Sequence, residues 1–176
     1  VFQQSLNNSI MQKLTEEYVS QLKRGDIMAF DVATHCGYYT LGDYGTAHFP
    51  NTEKAPKKMG LDYAQHKAFR KWLIDILTSH NIKAVAAEDV VFGHFVDFRK
   101  LCEFRGILFE VCETLDIPIV TFKPSDIKKH GTGKGNADKK MMMEFAEKRY
   151  HIEVNGDDNL ADAIHIYMYF IHRYKL

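Results

Sequence analysis

Long apolar runs are missing from this chain of 176 residues. None approaches the roughly 20 residues that a membrane-crossing helix needs, and the first residues do not form a signal-peptide pattern. Cysteine is scarce as well. Cys36, Cys102 and Cys112 are odd in number and contain no CxxC pair, which argues against a disulfide framework or a cysteine-ligated zinc site. The expected setting is the cytoplasm or another reducing compartment. Net charge is absent too, since 23 Lys and Arg balance 23 Asp and Glu. A general electrostatic pull toward nucleic acid is thereby removed, but local patches remain open. Lys123, Lys128, Lys129, Lys134, Lys139 and Lys140 fall in one stretch against only Asp126 and Asp138, and Lys54, Lys57 and Lys58 form a second cluster. Taken alone, these suit solvated loop lysines as well as phosphate ligands.

What is there is an ordinary globular composition, 45% apolar and 26% charged, with length enough for one buried core. Residues 9–24 repeat Ile10, Leu14, Tyr18 and Leu22 at helical spacing, behind a possible Ser9 cap. IMAFDVA (27–33) reads as a buried strand and His35-Cys36-Gly37 as a turn. YYTLGDY (38–44) and TAHF (46–49) follow as strands, the tight connections making an antiparallel meander. After a polar loop at 51–60, helices are expected over 62–80, 98–115, 137–150 and 159–174. Strands at 83–90 and 117–123 separate the first three. A meander followed by strand-helix-strand crossovers predicts an α/β fold with a mixed sheet and helices on both faces.

Acids end or interrupt several apolar elements. Asp31 closes the first strand and Glu88 the fourth, so parallel neighbours would bring both to one sheet edge. Asp89 points to the other side of its strand. On the last helix Asp158 and Asp162 share a face, continued by His165, Tyr169 and His172. Asp158 suits a helix cap, whereas Asp162 lies a turn further in, flanked by Ala161 and Ala163. Clustered carboxylates repel and raise one another's pKa unless a cation intervenes. Mg²⁺ and Mn²⁺ choose oxygen ligands, and a pair of such ions can activate water and stabilise the leaving oxygen of a phosphodiester. GTGKGNADKK (131–140) lacks P-loop spacing; a basic, glycine-rich loop before a helix suits a nucleic-acid backbone.

FDVA with Asp31, AAEDVVF with Glu88, FRGILFEVCE, KKHGTGKGNADKK and DDNLADAI with Asp162 together resemble the RuvC-type Holliday junction resolvases of the RNase H-like superfamily. The resemblance runs from about Ile27 to the C-terminus. A proofreading exonuclease would show DxE in the first strand, where this chain has Asp31-Val32-Ala33. The resemblance implies a five-stranded RNase H-like sheet, a nuclease domain over 26–176 and an added helical extension over 1–25. It implies a metal-dependent endonuclease that cuts four-way DNA junctions as a homodimer, with two Mg²⁺ ions per site and Mn²⁺ as a substitute. Flaps, forks or RNA-DNA hybrids are the alternative substrates, and a degenerate branched-DNA-binding module is the alternative class. Asp31, Glu88 and Asp162 are the implied metal ligands. Bacterial members often place a fourth ligand three residues before the last Asp, where this chain has Asn159. Asp158 is the substitute on the same helix face, and His165 is the weaker candidate. Lys139 matches a lysine expected at the scissile backbone. Lys128, Lys134 and Lys140 are further DNA contacts, and Phe92 resembles an aromatic that wedges against bases at the junction centre.

Overall fold

A computed structural model describes residues 14–50, 63–89 and 95–176. Its elements run α1 (Glu16–Gln21), a 3-10 turn (Arg24–Asp26), β1 (Ile27–Asp31), β2 (His35–Thr40), β3 (Asp43–His48), α2 (Ala64–Ser79), β4 (Ala84–Glu88), α3 (Phe95–Thr114), β5 (Ile119–Phe122), α4 (Pro124–Thr132), α5 (Lys139–Tyr150) and α6 (Asp158–Tyr174). The five strands form one sheet in the order β3-β2-β1-β4-β5. β1, β2 and β3 pair antiparallel, and β4 and β5 join parallel to β1 and to one another. The expected mixed RNase H-like sheet is therefore present.

Strand alternation divides the core in two. Ile27 and Ala29 face one layer with Ala84 and Ala86, packed beneath α6 with residues of α4 and α5. Met28 and Phe30 face the other with Val85 and Ala87, against Phe69, Leu73 and Leu77 of α2 and Phe104, Leu108 and Val111 of α3. The period-two pattern of a two-faced sheet accounts for this division. No described helix is long and apolar enough to cross a membrane.

Three local expectations are corrected. The segment His35–Gly37 is not a turn but the start of β2, and the β1–β2 connection falls at 32–34; the strand expected over 38–44 is broken by a second reversal at Leu41-Gly42, where Gly42 takes a φ of 98°. The left-handed conformation is one glycine adopts without penalty. KPSDIKKH, to which the sequence assigns no element, is mostly α4, which also takes in Gly131 and Thr132 of the expected loop, with Pro124 in its first turn and Gly133 as a left-handed C-cap, the termini those residues favour. The described part of the 9–24 helix is only the six residues of α1, capped by Thr15 and ended at an extended Leu22; its first half lies outside the described residues. So do the whole 51–60 loop with Lys54, Lys57 and Lys58, and the residues around Phe92.

α6 packs directly on β1 and β2, and one glycine permits the approach. A Cβ at Gly37 would run into the backbone carbonyl of Asn159, in the first turn of α6. Beyond it Tyr39 meets Tyr167 edge to face at 4.8 Å, and Tyr167 donates its hydroxyl to the Arg24 carbonyl at 2.8 Å. Gly37→Ala should therefore lift α6 off the sheet and cost about 1–3 kcal/mol, as overpacking does. Urea denaturation should show a lower midpoint with an unchanged slope. A midpoint equal to wild type would mean that this contact does not set the position of α6.

Candidate active site

The parallel register pairs Phe30 with Ala87, so the next residues, Asp31 and Glu88, end their strands side by side. Both alternate onto the face covered by α6. Asp31 also stands opposite Gly37, the residue on which the α6 N-terminus rests. The sheet thus presents two carboxylates at one edge and seats the first turns of α6 above them. Asp157, not Asp158, caps that helix, its side chain accepting from the Leu160 amide at 3.1 Å. Asp158 is thereby left free for another partner, and it binds the Lys139 ammonium. Lys139 opens α5, whose cap, Asp138, accepts from the Met141 amide at 2.8 Å.

Electrostatics show how tightly the acids converge. Asp31 is held well above the usual carboxylate range, first by burial and then by repulsion from Asp162, Glu88 and Asp158. Burial and the Asp162 charge push Glu88 up to about 7, against the pull of Lys128 and Arg105. Asp162 rises to about 6, mainly through burial, with Lys128 and Lys139 opposing. Asp158 goes the other way, lowered by its hydrogen bond to Lys139. Three half-buried acids thus lack enough counter-charge, and the fourth is satisfied by a lysine. Of the lysines named from sequence, Lys128 faces Glu88 and Asp162 and Lys139 sits on Asp158. Lys134 and Lys140 are exposed on the connecting turn and the start of α5.

Two side chains fall elsewhere. His165 is fully buried, its Nε2 donating to the Met142 carbonyl at 2.8 Å. Its Nδ1 lies so close to Gly131 that a Cβ there would collide with the ring. It joins α6 to α4 and α5 and is not turned to the acids. Asp89 is exposed and paired with Arg105 Nη2 at 3.2 Å. Arg105 is the residue that sequence reasoning missed. It is largely buried on α3 and also donates to the backbone carbonyl of Glu88, which fixes the end of β4. An arginine inside the otherwise apolar face formed by Phe104, Leu108 and Val111 was the available signal.

Among the described residues, no three His, Cys, Asp or Glu side chains are already drawn around one point that could hold a metal ion. The donor set nevertheless fits a hard divalent cation. It is all oxygen, it is half-buried, and its uncompensated repulsion is what such an ion relieves.

The fold and these strand-terminal acids define an RNase H-like protein. A sequence model of the family described as "Crossover junction endodeoxyribonuclease RuvC" matches residues 57–169, and the chain belongs to that family. The RuvC of Nitratidesulfovibrio vulgaris strain Hildenborough is 32% identical over 133 residues, covering 73% of this chain and 75% of that one. The RuvC of Ehrlichia canis is 30% identical over 95 residues, 53% of this chain. The chain spans 61% of that relative's length and 60% of the Ehrlichia chaffeensis relative's. Among solved structures, Thermus thermophilus RuvC in complex with a Holliday junction aligns with a TM-score of 0.65 at 16% identity, covering 85% of this chain and 94% of that one. The yeast mitochondrial Holliday junction resolvase aligns at 0.58 and 10% identity, covering 91% and 84%. These two likenesses concern the fold.

The raised carboxylates carry a stability prediction for the metal-free protein. Glu88 moves from 4.5 to about 7 and Asp162 from 3.8 to about 6, so the folded state keeps protons that the unfolded chain has released. Stability from these groups therefore falls as pH rises from about 4 to about 7, and the cost is full above that window. His130 and His165 are shifted down by burial and act oppositely as pH falls, so the comparison must be differential. With chelator present, the Tm advantage of Glu88→Gln over wild type should grow between about pH 5 and pH 8. Each kcal/mol should appear as about 2–4 °C. A difference independent of pH would show that Glu88 is ionised at no cost.

Proposed function

We propose that this protein is a divalent-metal-dependent endodeoxyribonuclease that resolves four-way DNA junctions by paired phosphodiester hydrolysis. The observation that carries the reading is the convergence of Asp31, Glu88 and Asp162, from two parallel strand ends and one helix, into a half-buried and mutually repelling set. Membership of the RuvC family supports the substrate class. Asp31, Glu88 and Asp162, with Asp158 as the fourth oxygen donor, would hold two Mg²⁺ ions, for which Mn²⁺ can substitute. When bound, the cations supply activation of water and neutralisation of charge on the phosphodiester.

The protein's own residues have separate tasks in this reading. Lys128 balances Glu88 and Asp162 and keeps the site from excess negative charge. Lys139, released from Asp158, is placed to take a non-bridging phosphate oxygen and offset the charge that builds there. Lys134 and Lys140 flank it as backbone contacts, and Phe92 is assigned to the bases at the junction centre. Arg105 holds the Glu88 backbone in register. The nuclease domain spans 26–176 with 1–25 as an extension, and paired incisions call for a homodimer. The proposed setting is the cytoplasm or another reducing, DNA-containing compartment.

The test is cleavage of end-labelled substrates with Mg²⁺ or Mn²⁺: a mobile four-way junction, a flap, a linear duplex and an RNA-DNA hybrid. Symmetric paired nicks in the junction are expected. Asp162→Asn should reduce them by about a hundredfold or more, the scale on which single electrostatic groups act at a reacting centre. Equal cutting of flaps or hybrids would replace the substrate while keeping the chemistry. Junction binding without cleavage would replace the enzyme with a binding module.

A further inference from the structure

On the same face as the acids, two residues before Gly37 on β2, the β2–β3 register sets His35 opposite His48. Directly opposed residues of an antiparallel pair project to one side of the sheet. Here the two imidazoles stack with ring centroids 4.0 Å apart and planes 25° from parallel. Both residues are exposed, and among the described residues neither ring is engaged in a hydrogen bond or ion pair. The residue parity that points Gly37 at the α6 N-terminus points His35 to that side as well. The pair therefore lies toward the end of the sheet from which Asp31 and Asp158 emerge. Nothing in the proposed cleavage chemistry uses it.

Two solvent-facing imidazoles at this separation, on a rigid hairpin beside an acidic cluster, have the chemistry of a metal site unlike the carboxylate one. We propose that His35 and His48 form a two-imidazole, cross-strand site for a borderline divalent transition ion such as Zn²⁺, Ni²⁺ or Cu²⁺. Imidazole nitrogen favours these ions, whereas carboxylate and water oxygens favour Mg²⁺ and Mn²⁺. The stacked rings have nearly parallel planes, so binding needs a rotation of one or both about the outer side-chain torsion. That torsion is broad for histidine, and neither exposed ring has packing that opposes it. The strands fix the separation of the two Cα atoms, which keeps the ordering cost of chelation low. The remaining coordination positions face solvent and take water or an anionic oxygen.

The test uses Cu²⁺ as the probe, titrated into the full chain with excess Mg²⁺ present so that the carboxylates compete little for copper. Electron paramagnetic resonance reads the number of coordinated nitrogens, and calorimetry reads affinity. Wild type should bind one equivalent with a two-imidazole signature. His35→Ala and His48→Ala should each weaken that site by at least about tenfold, because even the outer partners of metal ligands are worth 10–100-fold in affinity. The double variant should lose the signature. Since both side chains are exposed, the variants should keep the wild-type circular dichroism spectrum and Tm, and His35→Asn serves as a second replacement should the alanine disturb β2. An unchanged signature in the double variant, or wild-type copper bound without two nitrogens, would overturn the assignment. The outcome does not depend on whether the protein cleaves junctions.

Discussion

The mutual repulsion of carboxylates gathered at the adjacent ends of β1 and β4 is the constraint around which this structure is arranged. A free pair of acids would move apart or protonate. Here the parallel register prevents the first, because Asp31 and Glu88 are held by strands whose cores are fully buried. α6 adds Asp162 from above and is kept there by Gly37, by the edge-to-face contact of Tyr39 with Tyr167, and by the hydrogen bond from Tyr167 to the Arg24 carbonyl. Stability elsewhere in the core offsets the cost at the site, as is usual where function needs strain.

The cations of the chain are placed to moderate that repulsion without cancelling it. Lys128 reaches the acids from α4 and Lys139 from the first turn of α5. The α4–α5–α6 junction that fixes both helices is itself built from tight contacts. Gly131 leaves room for the His165 ring, and Arg149 donates to the carbonyls of His130 and Gly131 at the end of α4. A buried histidine thus acts on the site only through the helices it holds together. Lys139 is ion-paired with Asp158, and in the proposed function it would turn from that pair to a phosphate once a cation neutralises the carboxylates.

Much of this was legible in the chain because the signals are local. An acid ending an apolar strand, as Asp31 and Glu88 do, needs no partner to be noticed, and Asp162 stands out inside an oily helix. The antiparallel meander and the crossovers after it followed from connection lengths, whereas the place of β4 beside β1 was only a condition of the reading. What stayed hidden depends on contacts across the fold. Gly37 looks like a turn residue until α6 is seen resting on it. Asp158 looks like a cap until Asp157 takes that role. His165 shares a helix face with Asp162 on a wheel, yet the packing of α4 and α5 draws its ring away. The helix α4 was readable from Pro124 and Gly133, but with 131–140 taken as a glycine-rich loop the residues before it were left unassigned.

The most direct test of the central claim is calorimetric titration of the protein with Mn²⁺ at about pH 6.5 in buffers of different ionisation enthalpy. Because Glu88 and Asp162 are raised to about 7 and 6, they hold protons there that a bound cation must displace. The account predicts saturable Mn²⁺ binding with net proton release. Release should diminish toward pH 8, where the acids are ionised before metal arrives. Absence of binding, or binding with no proton release at either pH, would contradict the claim that these carboxylates are held together against their repulsion to receive a divalent ion.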